Sequence, residues 1–163
     1  VINLCSVYFF EYCIINCFAD RMAIKLSDMY PDRANETSIK NFFVILNYCY
    51  QVGVFISRSS LKYVQIKQVW FLSVLQAINW TFMFLNTRYM FCTSLYYLCP
   101  LFVWVGLMGG GSYVNVMHNI LELKTLHKSE IEGALVLTLM FNDCGILSSA
   151  FFTLIMDNTL FKS

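Results

Sequence analysis

Charge is what this sequence has least of. Only 13% of its 163 residues are Asp, Glu, Lys or Arg, while 58% are hydrophobic. Soluble domains carry about 25% charged residues, so an ordinary soluble fold is excluded. A net charge of +1 supplies no basic field for nucleic acid. Proline occurs twice, at Pro31 and Pro100, and no low-complexity tract divides the chain, so one helical domain over 1–163 is expected. The start has no basic n-region and no small-residue cleavage site, the marks of a secretory signal. Val1 already lies in an apolar stretch, and the expectation is a chain that begins internally. The seven cysteines form no C-x-x-C pair, and Cys13 and Cys17 have no His or carboxylate beside them. They read as small buried hydrophobes rather than metal ligands, and no metal or cofactor is expected. H-E-x-x-H and G-x-S-x-G are missing, and His118 and His127 are spaced wrongly for one helix face. Hydrolytic chemistry needs such a constellation, so no enzyme is expected.

What remains is long apolar runs. A bilayer-crossing helix takes about 20 mostly apolar residues, and five stretches approach that length: 1–19, 42–57, 69–87, 90–111 and 133–156. The expected fold is therefore all-α, a polytopic membrane helical bundle in a lipid bilayer. Lysines and arginines divide five to six between the two loop sets and assign no orientation. Asn35-Glu36-Thr37 is a glycosylation sequon in a polar loop. Its use would make that loop lumenal and turn Arg58 to the cytosol.

Polar groups inside the runs are the functional candidates, because an ionisable side chain at the membrane centre costs about 2.5–3.5 kcal/mol on insertion scales. Glu11 sits mid-span with Tyr8, Tyr12 and Asn16 near its helix face. Gln76 and Asn79, and Thr138, Asn142 and Ser149, read more simply as helix–helix glue; Asp143 is the costlier exception. Gly106 and Gly110 form a G-x-x-x-G face for close helix approach. The run Gly109-Gly110-Gly111 is expected to loosen its helix, and Tyr113, Asn115, His118 and Asn119 follow it. Arg58, at the end of an apolar run, is either a snorkelling anchor or a holder of an anion.

Three stretches carry a family resemblance: Val7 to Tyr12 (VYFFEY), Tyr50 to Ser60 (YQVGVFISRSS) and Gly109 to Ile120 (GGGSYVNVMHNI). They resemble the VYxxEY, YQxGVFxSRSS and GGxxYVNxxHNI segments of the battenin family of lysosomal and vacuolar membrane proteins. The resemblance covers nearly the whole chain but only the carboxy-terminal half of a family member. It implies a major-facilitator-like bundle of about eleven spans, of which these five would be the last, completed by a missing amino-terminal half. It also implies residence in the lysosomal or vacuolar membrane and a part in clearing glycerophosphodiesters and balancing pH and basic amino acids. A small polar solute would then meet Glu11, Tyr12, Gln51, Arg58, Tyr113, Asn115, His118 and Asn119. The alternative is a non-transporting scaffold that affects organelle pH and trafficking through its loops.

Overall fold

The computed structural model describes residues 2–33, 37–63, 65–123 and 127–160. The Asn35 sequon lies outside them. Five long helices account for most of the chain: α1 (Ile2–Met29), α2 (Phe42–Ser59), α3 (Trp70–Tyr89), α4 (Leu95–Leu121) and α5 (Lys128–Thr159). No strand occurs among the described residues. Of the five crossings expected, α1, α4 and the Glu130–Thr159 part of α5 are long and apolar enough to traverse a membrane. Polar side chains within α2 and α3, among them Gln51, Arg58, Gln76 and Asn79, lower the hydropathy of those two.

α1 is the central helix and packs against α3, α4 and α5, while α2 pairs with α4. It runs on to Met29 instead of stopping near residue 19, because its last turns bury Met22 and Leu26 and keep Asp20 and Asp28 exposed. Residues Cys13–Ala19 form π-helical turns. These rotate each residue by less than an α-turn does, so the register beyond Tyr12 departs from the α-helical spacing and Asn16 faces outward. Two apolar clusters flank this point. Leu4, Val7 and Tyr8 belong to one, with Val69, Leu72 and Val116. Cys13, Ile14, Cys17, Phe18 and Met22 belong to the other, with Leu46, Met83 and Phe102. Glu11 falls between them. Cys13 and Cys17 are buried as expected, whereas Cys144 is exposed.

The α3–α4 turn moves α4 further along the chain than the apolar run suggests. Met90 takes the left-handed conformation at φ 52°. The Asn86 amide donates to the Cys92 carbonyl at 2.9 Å and accepts from the Cys92 N–H at 2.8 Å. α4 then continues unbroken through Gly109, Gly110 and Gly111, which corrects the expectation of a loosened helix. The reason is packing. A Cβ on Gly106 would strike the Tyr50 carbonyl, one on Gly53 would strike the Val103 carbonyl, and one on Gly110 would meet Ser57. The α2 and α4 backbones touch along a seam where each glycine faces the other helix, which is what small residues provide in a membrane. With the backbone covered, no water competes for the helical carbonyls.

Candidate functional site

The site forms where α1, α2 and α4 meet. Glu11 is buried, at 1% exposure. Its carboxylate rests on Gly109, where any side chain would overlap it. Neither oxygen has a hydrogen-bond partner among the described residues. The Tyr50 phenol and the Arg58 guanidinium from α2 both interact with it electrostatically. Buried polar groups are nearly always paired, so a carboxylate with two open oxygens is a costly feature that function can explain.

Tyrosines line the space between the two charges. Tyr8 and Tyr12 stack with centroids 6.1 Å apart, and Tyr8 lies 6.5 Å from Tyr113 at a tilt of 57°. The Arg58 guanidinium sits 4.9 Å from the Tyr113 ring centroid, within cation–π range. Arg58 remains exposed at the last turn of α2. The helical spacing builds this arrangement: Tyr8 and Glu11 are three apart on α1, and Gly109 and Tyr113 are four apart on α4. Asp143, exposed on α5, approaches Tyr12 from the remaining side and accepts from Asn142 at 3.4 Å. The result is a buried acceptor and an exposed cation joined by a wall of phenols, suited to holding a polar solute or a proton.

The family model described as "CLN3 protein" matches residues 1–163. This chain belongs to that family. It is 40% identical over 162 residues to battenin of Dictyostelium discoideum, covering 99% of this chain and 37% of that protein. Similarity to protein BTN1 of Eremothecium gossypii is 31% over 161 residues, covering 98% and 38%. With battenin of Canis lupus familiaris it is 33% over 129 residues, covering 78% and 28%. The chain thus spans less than two-fifths of the length of these relatives. No solved structure matches it. Family and helices together mark a multi-pass membrane protein.

In this CLN3-family chain, four of the residues singled out from sequence come together: Glu11, Tyr12, Arg58 and Tyr113. The other four do not join them. Gln51 is exposed and lines an outer groove with Phe43, Asn47 and Tyr48. Asn115 is buried in a structural role, accepting from the Ile66 N–H at 2.6 Å and donating to the Gly111 carbonyl at 2.8 Å. His118 lies 3.4 Å from Glu122 on its own helix. Asn119 opens onto a separate groove. Positions two, five and six beyond Tyr113 turn away from its face, since 3.6 residues complete a turn. Tyr50 and Gly109 were not among the residues expected. Gly109 was detectable, because it stands four residues before Tyr113; Tyr50 enters only through the α2–α4 crossing.

Proposed function

We propose that this chain is the carboxy-terminal, solute-contacting part of a lysosomal or vacuolar transporter-like membrane protein. It acts in export of small polar solutes, glycerophosphodiesters or basic amino acids, and thereby in organelle pH balance. The observation that carries this reading is the Glu11 carboxylate, buried with both oxygens open beside Arg58 and four tyrosines. A purely structural bundle has little use for a buried ionisable group that costs free energy and lacks a well-formed hydrogen bond among the described residues. Arg58 offers a planar, permanently charged fork to a phosphodiester. Glu11 serves an amine or a coupled proton. The remainder of the relatives' length supplies the opposite half of a major-facilitator-like bundle, and the two halves rock about the site.

The test is a chimera that joins this chain to the part of Dictyostelium battenin it does not match, reconstituted in vesicles with labelled solute inside. Efflux is expected to fall at least tenfold in Glu11→Gln and Arg58→Ala, a loss of about 1.4 kcal/mol or more at the rate-limiting step. Solute that leaves the vesicles chemically unchanged supports transport; solute consumed in place would mean an enzyme. Unaltered efflux in both variants removes these residues from the mechanism.

A further inference from the structure

A second groove, toward the Leu121 end of α4 from Tyr113, has no part in the function proposed above. Its volume is about 420 Å³, and Asn3, Lys67, Gln68 and Asn119 form its polar wall. Val69 and Val116 make its floor, and both are buried in the apolar cluster beneath. Trp70 stands at the rim, 54% exposed, and Ile120 and Leu123 continue the apolar side.

The groove is held in shape by a specific contact. The Asn115 side chain accepts the Ile66 N–H at 2.6 Å while its amide is anchored to α4. That bond fixes the segment leading into α3, so Lys67 and Gln68 stand opposite Asn119. Ser73 adds a tie from α3 to the Asn3 carbonyl at 3.1 Å. Glu122, the nearest carboxylate along α4, lies beside His118 at 3.4 Å. Lys67 is thus the charge that the groove offers.

Position along the helices says what kind of molecule meets it. The groove lies where α3 begins at Trp70 and where α4 ends at Leu121. A tryptophan at a helix end is the usual mark of the headgroup level, and lysines there attract anionic lipid. We propose that this groove binds the phosphate headgroup of an anionic membrane phospholipid. Lys67 neutralises the phosphate, the amides of Asn3, Gln68 and Asn119 bond its oxygens, and an acyl chain lies over Trp70 and Ile120. The mixed wall suits an amphiphile, one end polar and the other apolar, better than a free anion.

Fluorescence quenching tests this on the full chain. Vesicles of phosphatidylcholine receive a minor fraction of bromine-tailed phosphatidylglycerol, or of bromine-tailed phosphatidylcholine as reference. The anionic lipid is expected to quench more strongly, and Trp70→Phe is expected to abolish that excess. Lys67→Ala should weaken the preference roughly fivefold, the effect of one lysine at an anionic surface, while Lys67→Arg retains it. Equal quenching by both lipids, an excess that survives Trp70→Phe, or an unchanged preference in Lys67→Ala would each overturn the proposal. Loss of the excess on adding glycerol phosphate to the buffer would assign the groove to a soluble anion instead. Lys67 and Trp70 are both exposed, so neither variant disturbs the core.

Discussion

α1 treats two of its charged residues in opposite ways. Near its middle, Glu11 is buried, and neither carboxylate oxygen makes a well-formed hydrogen bond among the described residues. Toward its end, Arg21 donates from Nε to Asp157 on α5 at 2.7 Å, with the two side chains 24% and 28% exposed. The second charge is matched by an opposite one and ties two helices together. The first leaves a carboxylate open in an apolar interior, at a cost that packing alone does not repay. The difference teaches where to look for function in a bundle of this kind: at the charge left unsatisfied, not at the charge well matched.

The comparison is broken most severely through the glycines that shape the Glu11 site. Gly106→Ala forces a methyl group against the Tyr50 carbonyl, and a backbone cannot move aside as a side chain can. Overpacking typically costs about 1–3 kcal/mol, and the upper end or more is expected here, read as a fall in thermal midpoint in detergent. Gly109→Ala meets the Glu11 carboxylate instead. Its penalty should shrink when combined with Glu11→Ala, because the seat is then empty. A double-mutant cycle measures this directly; strict additivity would show that Glu11 does not rest on Gly109.

The next effect has the opposite sign. Glu11→Met keeps the volume and removes the unpaired polar atoms, whose burial costs about 1–3 kcal/mol. Stability should rise while solute efflux in the chimera is lost. A variant that is less stable would mean that Glu11 is well satisfied in the membrane, and the contrast with Arg21 would collapse. Smaller again is Tyr113→Leu, which removes the ring beneath Arg58 and about 0.5–2 kcal/mol of cation–π attraction. Tyr113→Phe should keep most of it, and comparing the two variants' thermal midpoints separates the ring from the hydroxyl. The smallest effect is expected at the paired charge. Arg21→Ala should cost about 1 kcal/mol or less, as partly exposed pairs usually do, with efflux unchanged. A large loss of transport there would make the Arg21–Asp157 pair a moving part rather than a tie.

Much of the fold was legible because membrane helices obey a simple accounting. Apolar runs of sufficient length become helices, since lipid offers backbone groups no partner. Helix ends were less legible. α1 continues past Asp20 and Arg21 because Asp20 stays exposed and Arg21 finds Asp157 on α5, and α4 starts late because Asn86 caps the preceding turn. Half of the candidate site was readable for the same reason. Glu11 and Arg58 stand out as charges in or beside apolar runs, and Tyr12 and Tyr113 travel with the motifs around them. Asn115, His118 and Asn119 also belong to a motif, but adjacent positions on a helix point in different directions. One of them secures a loop, one faces its own helix, and one opens toward a second groove.

The sequence by itself determined an all-helical membrane protein of the CLN3 family, together with the two ionisable residues of the candidate site. Composition and motif are local properties, and hydrophobic runs need no partner to declare themselves. Only the tertiary structure decided that Glu11 seats on Gly109, that Tyr50 closes over it, and that Arg58 reaches across to Tyr113. Those contacts join segments far apart in the chain, and they exist because two glycine-lined backbones can touch. A side chain at Gly53 or Gly106 would hold α2 off α4 and open the site.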